Sequence, residues 1–462
     1  MTQPATADLV IENAILITMN AARETLTHAG LAVKDGRISW IGPTADAAQI
    51  KTDNRLDATD RILTPGFINT HVHITGDYLT RHYQPDDLDD PGRLFNWVIP
   101  RYNAHSPEDE YLSAVYGGLA LLKGGTTTFL EAGTVRHLDH IADGLRHVGI
   151  RARISNWIEG RAFDPSENET ALIDRAIEVM QEQVAQFPER PDDLVAAWPI
   201  LVGHNTNPDA VWQAAKQIAK AAGVGIAAHM SPYDVDPQWY LSNVGARPMV
   251  HLEGLGVMDA RTTITHATYL DAAECDVFNQ TGASIAFCPI ATLKGGFGAA
   301  KHSAYAELFK IGVNITFATD NYEAEILQAA RVGVGVIKDL DATVVHMNAA
   351  DGLAAITIRA AQALGLDHDI GSLEVGKAAD MVSFNTRTPQ WQPLISPLDQ
   401  LIWGADGRTI DRVWVAGKER IANGRSVDID EDALLDQVQV ASKAILARAD
   451  LPFKRNWSMR RA

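Results

Sequence analysis

An α/β fold, a (β/α)8 barrel accompanied by a small β-structure from both chain ends, is the architecture this sequence predicts. Three observations predict it. Eight short β-rich segments alternate with helix-like stretches through the middle of the chain, both ends carry strand-and-turn patterns instead, and several central strands close on a histidine or an aspartate. Alternation of this kind belongs to parallel βα units, and eight of them argue for a closed barrel, with an open doubly wound sheet as the alternative.

At the N-terminal end, Leu9–Thr18 is rich in β-formers. Leu31–Val33 and Ile38–Ile41 flank Asp35-Gly36, a dipeptide that favours a tight hairpin turn. Arg61–Leu63 leads into the first central strand. The eight β-rich segments fall at 66–73, 126–131, 151–156, 195–201, 225–229, 262–266, 284–288 and 314–319. Between them lie helix-like stretches such as Glu108–Lys123, Asn168–Phe187, Asp209–Ala222 and Glu323–Asp339. Towards the C-terminus the style of the N-terminal end returns. Ala379–Phe384 follows a turn at Gly376-Lys377, and Val413–Val415 precedes Ala416-Gly417-Lys418. The last stretch is helical in pattern, with Leu434, Val438 and Ile445 on one stripe. The expected division is therefore 1–64 and 371–430 for the two parts of the β-structure, 65–370 for the barrel, and 431–462 for a C-terminal helical segment.

Composition narrows the function classes. The chain has 462 residues, 46% hydrophobic and 21% charged, as a soluble globular protein does. Its 40 Lys and Arg stand against 58 Asp and Glu, a formal charge of −18. That balance disfavours nucleic-acid and anionic-membrane partners, which select a basic face. Two cysteines, Cys275 and Cys288, make neither a disulfide framework nor a cysteine-rich zinc module. The N-terminus lacks a basic-then-apolar leader, no run approaches the roughly 18 apolar residues of a membrane span, and a cytoplasmic location is expected.

The chemistry gathers at strand ends. Thr64-Pro65-Gly66-Phe67-Ile68-Asn69-Thr70-His71-Val72-His73 is an apolar run ending in two histidines, which strand pleating turns to one side. A lone His-x-His is common, so the remaining strands decide its meaning. Gly225-Ile226-Ala227-Ala228-His229 and Thr262-Thr263-Ile264-Thr265-His266 each close on a histidine, and Ile315-Thr316-Phe317-Ala318-Thr319-Asp320 closes on an aspartate. In barrels the active site forms at the C-terminal strand ends. His71, His73, His229, His266 and Asp320 together supply the donors of an open, catalytic metal site with room for water.

These residues, with Leu122-Lys123-Gly124-Gly125-Thr126-Thr127-Thr128-Phe129, His266-Ala267-Thr268-Tyr269-Leu270-Asp271, Ala318-Thr319-Asp320-Asn321 and Gly371-Ser372-Leu373-Glu374-Val375-Gly376-Lys377-Ala378-Ala379-Asp380, carry a resemblance. The chain resembles the amidohydrolase superfamily over nearly its whole length, within the branch of adenosylhomocysteine, guanine and triazine deaminases or hydrolases. The resemblance implies a deformed (β/α)8 barrel with a β-sandwich built from both chain ends. It implies that His71, His73, His229 and Asp320 bind one divalent metal, Zn²⁺ first, with Fe²⁺, Co²⁺ or Mn²⁺ also suited. His266 would sit beside it as a catalytic residue acting on substrate or water, with Asp320 as proton acceptor. Leu194–Leu201, the fourth strand, has no lysine that could be carbamylated to bridge a second metal, so a mononuclear centre is implied. His204 matches a pocket histidine of the branch, although Asn205-Thr206-Asn207 departs from its pattern. A small-molecule substrate and a homo-oligomer, a dimer or larger, follow from the same likeness.

One departure bears on the reaction. Deaminases of this branch place a glutamate three residues after the fifth-strand histidine, and here that position is Pro232. Proline neither donates nor accepts a side-chain proton. Asp234 or Asp236 could substitute, or either could be a solvated loop carboxylate capping the next helix. The expected activity is accordingly hydrolysis of a small neutral amide, urea, carbamate or thiocarbamate, near the phenylurea and thiocarbamate hydrolases, because a carbonyl needs no ring protonation. Deamination or dechlorination of an aminated heterocycle is the alternative, and a non-catalytic barrel the remote one. Trp97, with Tyr78, Phe95, Trp157 and Tyr322, could line an apolar pocket, or simply pack. No Arg/Lys cluster decorates the strand ends, which argues against a phosphorylated substrate.

Overall fold

The computed structural model describes residues 4–85, 87–88, 94–191, 193–321 and 323–451. From the N-terminus, β1 (Leu9–Ile17), β2 (Thr25–Lys34), β3 (Arg37–Pro43), β4 (Arg55–Asp57) and β5 (Arg61–Pro65) form one side of a terminal sheet. The Asp35-Gly36 hairpin forms as expected: φ is 51° at Asp35 and 75° at Gly36, and Lys34 pairs with Arg37. Two successive positive φ values give the turn whose twist matches its strands, and only glycine takes the second without strain.

The barrel-type core follows. β6 (Phe67–Val72), β7 (Thr126–Glu131), β8 (Arg151–Ile154) and β9 (Val195–Ala197) make a four-stranded parallel arc. β10 (Ile200–Gly203), β11 (Ile226–Met230), β12 (Thr262–His266), β13 (Ser284–Phe287) and β14 (Ile315–Phe317) make a five-stranded one. The expected fourth strand is thus split, because Pro199 has no N–H for the ladder and Trp198-Pro199 breaks it. Chain continuity joins the arcs there. At the other seam the link is an isolated parallel bridge between Val72 and Asp320, with hydrogen bonds from Asp320 N–H to His71 O at 3.0 Å and from His73 N–H to Asp320 O at 3.4 Å.

Helices Pro107–Lys123, Glu169–Gln186, Asp209–Ala222 and Ile326–Asp341 occupy the predicted intervals. The first begins with a Ser106/Asp109 capping box, which satisfies donors the helix start leaves open. The chain then returns to the terminal sheet as β15 (Met381–Asn385), β16 (Ile410–Val415), β17 (Lys418–Ala422) and β18 (Arg425–Ser426). β15 pairs antiparallel with β5, so strands more than 300 residues apart in sequence share one nine-stranded mixed sheet. Helix Glu431–Ala449 closes the described chain and buries Leu434 and Ile445. Among the described residues, no helix is long and apolar enough to cross a membrane.

Candidate active site

Each expected donor stands at the C-terminal end of a barrel strand. His71 lies in β6 with His73 one residue beyond it, His229 in β11, His266 last in β12, and Asp320 three residues past β14. All five are buried. Asn69 fixes the seam that brings Asp320 to the histidines: its Nδ2 donates to Thr319 Oγ1 at 2.7 Å, and its Oδ1 accepts the Thr319 N–H at 3.2 Å. His266 and Asp320 take positive φ, 72° and 62°, as do His204 and Ser231 at neighbouring strand ends. Non-glycine residues held there cost energy, and such strain concentrates at functional sites.

The geometry is convergent. His73 Nε2 lies 3.3 Å from Asp320 Oδ1 and 3.4 Å from His229 Nε2. The His71 ring stands 4.6 Å from that of His229, and His266 Nε2 is 4.0 Å from Asp320 Oδ2. The outer nitrogens of His229 and His71 are engaged. His229 Nδ1 donates to Val202 O at 2.9 Å, which leaves Nε2 as the free lone pair, and His71 Nδ1 meets Thr265 Oγ1 at 3.0 Å. His71 Nε2, by contrast, is buried with no partner among the described residues. An inward-aimed imidazole nitrogen without a partner, beside two others 3.4 Å apart, is the arrangement a shared cation satisfies. Donor atoms of His71, His73 and Asp320, and of His71, His229 and His266, are close enough for such sharing.

Electrostatics keep most of these rings neutral. Burial, then the neighbouring histidines, hold His71 and His229 well below the usual imidazole range. Burial takes His266 down to about 4. For His73 burial pulls the same way, but the Asp320 hydrogen bond and the charges of Asp320, Asp77 and Glu131 raise it overall. Neutral imidazole is the form that ligates a metal.

His73, His229, His266 and Asp320 floor a cavity of about 160 Å³ walled by Tyr102, Trp157, His204, Phe297 and Asn321, among others. His204 is there as expected, its ring stacked 5.6 Å from that of His229. Trp97 and Asp234 are not brought to it. Trp97 is buried against Tyr83 and leaves the wall to its neighbour Val98. Asp234 is exposed at the start of helix Val235–Asn243 and accepts from Gln238 Nε2. Pro232 is buried. Of the remaining aromatics, Trp157 reaches the cavity and Tyr78 packs on Tyr116, while Tyr322 and the Phe95 side chain lie outside the described residues.

Three residues near the site, Tyr102, Glu131 and Cys288, escape sequence reasoning, while Asp236 enters it only as one of two candidate substitutes for the missing glutamate. Asp236, buried, accepts His204 Nδ1–H and the Ser231 N–H, both at 2.7 Å. Tyr102 OH donates to Asp77 and stands 3.2 Å from His73 Nδ1. Glu131 ends β7, accepts from Gly133 and Thr134, and is pushed up to about 7 by burial. Cys288 follows β13, and burial and Asp320 hold its thiol protonated. The strand-end rule, applied to the second and seventh strands, would have found the last two. Nothing local marks Tyr102, or ties Asp236 to His204.

Comparison with known proteins gives the family. A family model described as the amidohydrolase family matches residues 62–420. A 5-methylthioadenosine/S-adenosylhomocysteine deaminase of Thermodesulfovibrio yellowstonii is 28% identical over 438 residues, 93% of this chain and 96% of the relative. A 5'-deoxyadenosine deaminase of Methanosarcina acetivorans is 25% identical, covering 96% of this chain and 100% of the relative. The crystal structure of an adenosine deaminase from Xanthomonas campestris with bound zinc superposes with a TM-score of 0.86 at 26% identity, over 96% of this chain and 100% of that one. The chain belongs to the amidohydrolase family, hydrolytic enzymes that act on carbon–nitrogen bonds with a divalent metal.

Proposed function

We propose that this chain is a mononuclear, metal-dependent deaminase that releases ammonia from an aminated heterocycle of the adenosine type. The observation that carries the reading is the convergence of His73, His229, His266 and Asp320 on one cavity, with His71 beside them in donor-atom reach. Relatives spanning more than nine-tenths of the chain are named as deaminases of adenosine derivatives, which supports it. His71, His73, His229 and Asp320 hold the ion, zinc by likeness to the zinc-bound neighbour. When bound, it supplies an activated water and electrostatic stabilisation.

The chain's own residues do the rest. Asp320, with Oδ2 turned towards His266, accepts the proton of the attacking water and returns it to the leaving amine. His266 hydrogen-bonds the reacting centre and stabilises charge that develops there. Deamination also needs a proton at a ring nitrogen, which Pro232 cannot deliver. His204 takes that task. Burial opposes its charged form, but the charge and hydrogen bond of Asp236 raise its pKa overall. With Nδ1 held by Asp236, Nε2 is the nitrogen left for substrate.

Pro232 also favours a second reading, hydrolysis of an amide, urea, carbamate or thiocarbamate, for which no ring protonation is required. An assay panel separates the two. Ammonia is expected from adenosine, 5'-deoxyadenosine or related compounds, and no turnover of phenylureas, carbamates or thiocarbamates. Asp236→Asn should lower kcat/KM about 10–100-fold through the loosened His204, whereas Asp234→Asn should leave it unchanged. Turnover of ureas or carbamates without ammonia from any purine or triazine would transfer the assignment to the second reading.

A further inference from the structure

On the pole of the barrel opposite the histidines, a second cavity of about 660 Å³ opens between the N-terminal strand ends and the terminal sheet. Five arginines line it, Arg37, Arg151, Arg153, Arg190 and Arg261. Among the described residues, two carboxylates, Glu189 and Asp369, stand in the same wall. On a chain of formal charge −18 this is a local reversal of sign. Among the described residues the histidine cavity is lined by no arginine or lysine, and sequence reading, which looked at those strand ends, overlooked the cluster.

Arg151 and Arg153 stand two residues apart on β8, on one face of the strand, and are 4% and 1% exposed. Carboxylates compensate them in part. Arg151 faces Asp380 at 3.4 Å, Arg153 pairs with Glu189, and Arg37 pairs with Asp369 at 2.6 Å. Arg153 Nε remains buried without a hydrogen-bond partner among the described residues. Burial, with Arg151 adding to it against Glu189, pushes the Arg153 guanidinium pKa down, a sign of under-compensated charge. Arg261 has no ion pair among the described residues. Its Nη2 donates to Gly223 O at 3.1 Å and its guanidinium lies 5.8 Å over the Trp198 ring. It fits against Gly365, where a Cβ would fall 1.2 Å from Nη1, so any larger residue would evict it.

Guanidinium groups such as those of Arg153 and Arg261, short of counter-charge, with that of Arg190 on the exposed rim, are suited to bidentate binding of an oxyanion. We propose that this cavity binds a small phosphate-bearing anion at a site separate from the reaction centre. Arg261 precedes β12 and His266 ends it, which places the two sites about 16 Å apart along the strand. The proposal does not depend on which bond the enzyme cleaves.

The test is calorimetric titration of the full, metal-loaded chain with inorganic phosphate, pyrophosphate and ribose 5-phosphate, at one ionic strength set with chloride. Saturable binding of at least one probe is expected, retained in His266→Ala and weakened at least tenfold in Arg190→Gln/Arg261→Gln with turnover unchanged. Arg190→Glu, on the exposed rim, alters charge without touching the interior and should weaken binding even if Arg261 proves necessary for folding. Tighter pyrophosphate than sugar phosphate identifies a free oxyanion as the ligand, and the reverse order a phosphate ester. The proposal is overturned if no probe binds, if both arginine variants bind as the parent chain does, or if the heat disappears in His266→Ala instead.

Discussion

His266 ends β12 with Nδ1 buried and without a partner among the described residues, and burial lowers its pKa to about 4. An unfolded histidine titrates near 6.5, so between those values the unfolded chain binds a proton that the folded chain refuses. Stability from this residue is therefore present above pH 6.5 and lost as pH falls towards 4. His71 and His229 act in the same direction. His73 and His204, whose pKa values are raised, contribute stability below pH 6.5 that is lost as pH rises through their folded values. The metal-stripped chain should lose unfolding free energy from pH 6.5 to 4, and His266→Ala should flatten that slope by about 1.4 kcal/mol per pH unit. Urea unfolding across the pH series checks this. An unchanged slope would mean that His266 is protonated in the folded chain.

At the scale of the element, the loop after β6 positions the first histidine pair. Gly76 has φ 74°, and a Cβ there would fall 1.8 Å from the Tyr102 ring. Helix Ile99–Asn103 delivers that ring, whose hydroxyl joins Asp77 to His73. Arg101, 3.3 Å from Asp77, anchors the carboxylate in turn. Gly76→Ala is both strained and overpacked, with an expected cost of about 2–3 kcal/mol. It should also loosen His73 and weaken metal binding about tenfold or more, read by competition with a chromophoric chelator. Tyr102→Phe keeps the ring and loses only the hydroxyl, so it should share the affinity loss but little of the destabilisation.

The whole molecule is tied together at Asp380. Its carboxylate faces Arg151 at the start of β8 and accepts the Ala416 N–H at 2.6 Å, while its carbonyl accepts the Gly66 N–H at 2.8 Å where β6 begins. One residue thus joins the third barrel strand, the histidine strand and the terminal sheet. The pair is buried on both sides, 5% and 3% exposed, so removing one partner strands a charge in the interior. Asp380→Ala is expected to cost about 3–5 kcal/mol, seen as a lower urea midpoint. An unaltered midpoint would show that the terminal sheet and barrel are coupled by other contacts.

What the sequence by itself determined is whatever depends on neighbours along the chain. Strand and helix periods placed the eight β segments and the main helices within a few residues, turn chemistry placed the Asp35-Gly36 hairpin, and alternation set His71 and His73 on one side. The strand-end rule added His229, His266 and Asp320 as companions, and the likeness to a known family assigned their roles. The tertiary structure alone decided which side chains meet across the barrel. Asp236 reaches His204 over 32 residues, Tyr102 reaches His73 over 29, and Thr265 reaches His71 over 194. It also turned Trp97 and Asp234 away from the cavity and gathered Arg37, Arg151 and Arg261 at the opposite pole. The physical reason is that such contacts follow from strand register and barrel closure, which the buried apolar surface sets collectively, while local propensity reaches only a turn or two along the chain.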